Sequence, residues 1–261
     1  MKMSRKYFFL LMGLLFAFNL MAGDKNSFLK RQFTTSDGYK LNYRILYPEN
    51  YSPDKKYPLL LFLHGAGERG NDNEKQLFHG GDMLSSHENR SKYPCIILAP
   101  QCPENDYWVD YTHPETGMKR TYPENPAPSK QIKAVKELLD SYIAKDIVDT
   151  KRISVFGLSM GGMGTFDLVC RYPDLFVTAT PICGAVNTKR LGKYKGKTAF
   201  RLYHGSADET VDVHFSRDAY ETLKKIGADV RYTEYENVNH NSWTPAFNEP
   251  DFLSWIFEHS F

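Results

Sequence analysis

Residues 153–162 read Ile-Ser-Val-Phe-Gly-Leu-Ser-Met-Gly-Gly, a short apolar run that meets a G-x-S-x-G pentapeptide and then a helix-compatible segment. A serine hydroxyl lifted on a sharp strand-to-helix turn can act as a nucleophile on an acyl carbon. Such a turn is strained, and side chains two positions to either side would strike the flanking backbone. Gly157 and Gly161 remove those side chains, and Gly162 lets helix and strand pack closely. The pentapeptide alone is a weak signal, because glycine-serine loops are common. It gains meaning when a base, an acid and an oxyanion loop follow the expected order.

A weakly nucleophilic hydroxyl needs a base, and the base needs an orienting carboxylate. The acid should lie just past a strand end. Residues 200–203 are apolar or aromatic apart from Arg201 and run into His204-Gly205-Ser206-Ala207-Asp208, which makes Asp208 the candidate. Glu209 and Asp212 are its rivals, and Asp212 is better placed to start the next helix, where a carboxylate favours the dipole. Of eight histidines, His240 follows the last expected strand in a polar loop, residues 237–243. His64 and His204 are read as turn-stabilising, His214 falls in a helix, and His259 lies near the end of the sequence. The order is then Ser159, Asp208, His240. Upstream, the buried-looking strand 58–63 leads into His64-Gly65-Ala66-Gly67-Glu68-Arg69-Gly70, a loop whose N–H groups can face a developing oxyanion.

These residues need a sheet to hold them. Two strand-like pieces, 29–35 and 41–47, flank Asp37-Gly38 and predict a hairpin. Further strands are expected at 58–63, 94–99, 153–156, 178–182, 199–203 and 230–235. Helices are expected after a Ser129 cap, from the elbow to about Arg171, at 213–226 and at 250–257. In the first of these, Ile132, Val135, Leu138, Leu139, Tyr142 and Ile143 recur at helical spacing and mark a core face. Continuous apolar strands alternating with helices predict an α/β fold with a mostly parallel sheet, helices on both faces and an N-terminal antiparallel hairpin. The irregular stretch 100–129 carries Tyr107, Trp108, Tyr111, His113 and Tyr122, and loops at this end of a parallel sheet line the ligand crevice. Trp108 and Trp243 are the expected substrate contacts, although loop aromatics serve equally well as packing.

Lys2, Arg5 and Lys6 precede an apolar run from Tyr7 to about Met21, followed by Ala22 and Gly23. This predicts a secretory signal over residues 1–22 and one catalytic domain over 23–261, with a secreted or periplasmic location. No stable membrane association is expected after cleavage. The chain has 33 Lys and Arg against 31 Asp and Glu; without the three cations of residues 1–22 the balance is 30 against 31. No nucleic-acid footprint remains. Cys95, Cys102, Cys170 and Cys183 are scattered without a C-x-x-C spacing, so small buried thiols are expected rather than a metal site or a disulfide scaffold.

Leu-His-Gly-Ala-Gly-Glu-Arg-Gly at 63–70, Ala-Pro-Gln-Cys-Pro at 99–103, Gly-Leu-Ser-Met-Gly-Gly at 157–162 and His-Gly-Ser-Ala-Asp at 204–208 resemble the secreted carboxylesterase branch of the α/β-hydrolases. That branch, often labelled predicted peptidases, neighbours the dienelactone hydrolases, polyhydroxybutyrate depolymerases and feruloyl esterases. The resemblance spans nearly all of 28–261. It implies Ser159 as nucleophile, His240 as base, Asp208 as orienting acid, and the amides of Met160 and Ala66 as the oxyanion hole. No metal or organic cofactor is implied, and the expected partner is a small-molecule or polysaccharide-linked ester. Dienelactone enzymes carry cysteine where this chain has Ser159, and prolyl oligopeptidases carry a propeller for which the sequence shows no pattern. An exported serine peptidase and a non-catalytic carbohydrate-binding hydrolase fold are the alternative readings.

Overall fold

Eight strands among the described residues form one sheet, in the order β1-β2-β4-β3-β5-β6-β7-β8. The computed structural model describes residues 23–111 and 121–261. The expected signal at 1–22 and His113 lie outside the described residues. The strands are β1 Leu29–Thr34, β2 Lys40–Leu46, β3 Tyr57–Leu63, β4 Ile96–Pro100, β5 Val148–Leu158, β6 Thr178–Ile182, β7 Ala199–Gly205 and β8 Val230–Tyr235. β1 and β2 form the antiparallel hairpin, turned at Gly38 with φ of 83°. β2 also runs antiparallel to β4, and every pairing from β4 to β8 is parallel.

The helices are α1 Gly81–Ser85, α2 His87–Lys92, α3 Lys130–Ile143, α4 Met160–Arg171, α5 Thr188–Leu191, α6 His214–Lys225, α7 Trp243–Phe247 and α8 Phe252–Phe257. Strand β3 shows why both faces need cover. Leu59, Leu61 and Leu63 enter one apolar cluster, Leu60 and Phe62 the other. The first cluster is closed by Ile132, Val135 and Leu138 of α3, Phe166 of α4 and Leu223 of α6. The second is closed by Leu84 of α1 and by Phe252, Trp255 and Ile256 of α8. Period-two alternation with apolar residues on both sides thus produces a covered sheet. Ser129 caps α3 as expected: its Oγ accepts from the Ile132 N–H at 3.0 Å and donates to the Trp108 carbonyl at 2.7 Å.

Several elements differ from expectation, among them the short helices α1, α2 and α5, which had no expected counterpart. β5 begins at Val148 rather than 153, because its polar first half hides the strand pattern; Tyr57 pairs with Val148 before the register shifts. A further short helix, α7, begins three residues after His240, with Pro245 near its start where no intrahelical donor is lost. All four cysteines are free; Cys95, Cys102 and Cys183 are buried and Cys170 is half-buried. Among the described residues, no helix is long and apolar enough to cross a membrane.

Candidate active site

Because β3, β5, β7 and β8 run parallel, the loops leaving their carboxyl ends gather on one edge of the sheet. Ser159 stands between β5 and α4 with φ 53° and ψ −116°, a strained conformation for a side chain-bearing residue. Its N–H is held by the Ile182 carbonyl at 2.8 Å, and its carbonyl accepts from the Met163 N–H at 3.1 Å. The space argument from sequence is borne out. A Cβ on Gly157 would lie 2.4 Å from the Gly161 oxygen, and one on Gly161 would lie 1.9 Å from the Leu63 oxygen.

The imidazole of His240 bridges the expected partners. Its Nδ1 donates to Asp208 Oδ2 at 2.7 Å, and its Nε2 lies 2.8 Å from Ser159 Oγ. A carboxylate only accepts, so Nδ1 carries the hydrogen and Nε2 is left to accept from the serine hydroxyl. Asp208 Oδ1 takes the N–H groups of Thr210 and Val211, both at 2.9 Å. Burial would raise this carboxyl, but hydrogen bonds from His204, His240 and Val211 outweigh it and hold the group well below the usual carboxylate range. The arrangement can move a proton from hydroxyl to imidazole while an ionised carboxylate steadies the cation.

His204 and His64 have the stabilising character expected of them, and His204 also touches the acid. It is fully buried, with Nδ1 at 2.7 Å from Ser216 Oγ and Nε2 at 2.8 Å from the Val211 carbonyl. That carbonyl requires a hydrogen on Nε2, which also faces Asp208 Oδ2 at 3.1 Å. His64 accepts the Cys102 N–H on Nε2 at 2.9 Å and donates from Nδ1 to the Gly65 carbonyl at 2.6 Å. Burial depresses its pKa to about 4, so it stays neutral and braces the loop after β3. The acid and histidine loops are also tied together. Ala207 N–H donates to the Val238 carbonyl at 3.0 Å and Asn237 N–H to Ser206 Oγ at 2.9 Å. A Cβ on Gly205 would lie 2.1 Å from the Val238 oxygen.

Above Ser159 opens a cleft of about 400 Å³, lined in part by Ala66, Glu68, Arg69, Tyr107, Tyr111, Met160, His240 and Trp243. Met160 starts α4 and Ala66 starts a 3-10 turn at Ala66–Glu68, so neither N–H has an acceptor within its own helix. Trp243 sets its ring edge-on to His240, centroids 5.4 Å apart. Trp108, expected as a substrate contact, is instead wholly buried. Its Nε1–H donates to the His64 carbonyl at 3.0 Å and its ring packs against His64. An indole N–H buried in the core needs an acceptor, and the end of β3 supplies it. The adjacent Tyr107 and, farther along, Tyr111 face the cleft in its place.

Glu68 and Arg69, in the glycine-rich loop after β3, also line the cleft, and residue type alone gave no signal of it. Burial raises the Glu68 carboxyl, which lies 3.6 Å from His79 Nε2. Cys183, Asp208 and His240 bring possible metal donors within 4.8 Å of one another, but Asp208 and His240 are hydrogen-bonded together and burial pushes the Cys183 thiol up to about 12.

The phospholipase/carboxylesterase family pattern matches residues 50–252. A thermostable esterase of known structure superposes with a TM-score of 0.79 at 35% identity, covering 90% of this chain and 64% of that one. A ferulic acid esterase from Anaeromyces mucronatus superposes with a TM-score of 0.60 at 15% identity, covering 84% of this chain and 85% of that one. In sequence, the chain is 22% identical over 219 residues to a bifunctional acetylxylan esterase/xylanase from Neocallimastix patriciarum, covering 81% of this chain and 29% of that protein.

Proposed function

Because this chain belongs to the phospholipase/carboxylesterase family of the α/β-hydrolases, we propose that it is a serine ester hydrolase working through an acyl-enzyme. The unbroken hydrogen-bonded path from Ser159 through His240 to Asp208, on the floor of an open cleft, carries this reading. Ser159 Oγ attacks the ester carbonyl carbon while its proton passes to His240 Nε2. The carbonyl π pair moves onto oxygen, which is met by the N–H groups of Met160 and Ala66. Collapse of that oxyanion breaks the bond to the alkoxy group, which leaves with the proton from His240. Water then repeats the sequence, giving its proton to His240 and releasing the acid as Ser159 is restored. Asp208 keeps the imidazole in one tautomer and offsets its charge throughout.

Ser159→Ala should lower kcat/KM on 4-nitrophenyl acetate by about five orders of magnitude. A variant as fast as the parent would end the proposal, and hydrolysis of peptide amides with none of esters would favour an exported peptidase instead.

For the natural substrate we propose acetyl or feruloyl esters of plant polysaccharide, met after export behind the signal at 1–22. Tyr107, Tyr111 and Trp243 supply ring faces suited to sugars and phenols. The names carried by two relatives, an acetylxylan esterase/xylanase and a ferulic acid esterase, point the same way. Turnover should be greater on acetylated xylan or methyl ferulate than on plain short-chain esters. Plain esters winning by orders of magnitude would refute this choice of substrate.

A further inference from the structure

The cleft holds a cation that the hydrolysis mechanism does not use. Arg69 leaves the loop after β3 three residues beyond Ala66 and lines the same cleft as Ser159. Its Nε–H donates to the Ala66 carbonyl at 2.8 Å, one Nη1–H reaches the Asp106 carbonyl at 3.4 Å, and its guanidinium lies 4.6 Å from the Tyr107 ring centroid. Both fixed acceptors are uncharged carbonyls. Arg69 meets no carboxylate among the described residues; the same holds for Arg31, Arg44, Arg152 and Arg231, but of these five only Arg69 lines the cleft beside Ser159. The neighbouring Glu68 does not neutralise it, because that carboxyl folds back toward Gly65 and His79.

We propose that Arg69 forms an anion subsite of this cleft, which selects esters that carry a carboxylate. The inference rests on the ester-hydrolase reading and adds the charge of its substrate. Three features make the site competent. The guanidinium is already oriented by Ala66 and Tyr107, so little side-chain freedom is left to lose on binding. Nη2 and one N–H of Nη1 have no acceptor among the described residues, leaving a fork that matches two carboxylate oxygens. Tyr107 and Tyr111 stand beside it and offer ring surface to whatever bears the charge. The carboxylate can sit on the acid part, as in a half-ester of a dicarboxylic acid, or on the alcohol part, as in an acetylated acidic sugar. The chemistry recognised is the same.

The test compares kcat/KM within two matched pairs. The mono-4-nitrophenyl ester of glutaric acid against 4-nitrophenyl valerate places the charge on the acid part. The acetate ester of 4-hydroxybenzoate against that of its methyl ester places it on the alcohol part. The parent should favour the anionic member by about tenfold or more in one pair, and the favoured pair identifies which part carries the carboxylate. That ratio should fall as salt rises from about 0.05 to 0.5 M. Arg69→Met should reduce it at least about tenfold, while Arg69→Lys keeps part of it. A parental ratio near one in both pairs overturns the subsite. A ratio unchanged in Arg69→Met also overturns it, even if both members slow together, because Arg69 would then only brace the Ala66 carbonyl. Absence of turnover on all four esters would instead defeat the hydrolase reading beneath it.

Discussion

Along residues 157–162 the cleft floor is shaped by backbone meeting backbone, whereas along 107–111 its wall is shaped by which ring faces inward. At the elbow, the Leu63 and Gly161 oxygens occupy the places where Cβ atoms would stand, and Ser159 keeps a positive φ as a result. In the wall, adjacent residues go opposite ways: Trp108 is anchored on the His64 carbonyl and Tyr107 lines the cleft. Position for chemistry is held by a geometry that few residue types satisfy. The recognition surface is held by one buried neighbour and is open to change.

That contrast can be broken experimentally. Trp108→Ala should cost about 3–5 kcal/mol of stability through the cavity it leaves, measured by denaturant unfolding. A variant of parental stability with a raised KM would place the indole in the wall after all. Gly161→Ala should cost about 3 kcal/mol, since the new methyl meets the Leu63 carbonyl rather than a side chain that can swing aside. An unchanged thermal midpoint would show the elbow to be less constrained than its contacts indicate.

Asp208 offers a pH test of the same edge. Its folded-state pKa is depressed, so the unfolded chain takes up protons first as acid is added. Its stabilisation should be complete above the ordinary carboxylate range of about 3.9 and fade as pH falls through the folded value. The stability difference between parent and Asp208→Asn should therefore shrink as pH falls below about 4. A gap that widens below about pH 4 would contradict the pairing. The smallest change belongs to Tyr107→Ala, which should leave stability within about 1 kcal/mol and raise KM a fewfold. A several-kilocalorie loss there would erase the division between floor and wall.

The floor was legible in the sequence because each of its parts sits at a strand end and is announced by residue type. Glycine spacing marked the elbow, an apolar run marked the strand before Asp208, and chain order singled out His240 from eight histidines. The geometry of these three side chains then agrees with the expected order. Trp108 was misread because an irregular loop has no period to say which ring turns inward; only the unsatisfied indole N–H decides, and its acceptor is 44 residues away. The extra bond from His204 to the acid was hidden for a related reason. His204 reads as turn-stabilising because it precedes Asp208 in the chain, and only the structure shows that the Val211 carbonyl fixes the hydrogen on Nε2, which also faces the carboxylate. Arg69 gave no signal at all, since a lone cation in a glycine-rich loop looks solvated until its neighbours are known.

The contact of Gly205 with Val238 has a practical consequence for anyone recombining such enzymes. A segment swap with one crossover between residues 209 and 235 would join an acid-bearing half from one parent to a base-bearing half from another, across a seam with no slack. Chimeras that inherit both halves from a single donor should survive such shuffling far more often than those that mix them.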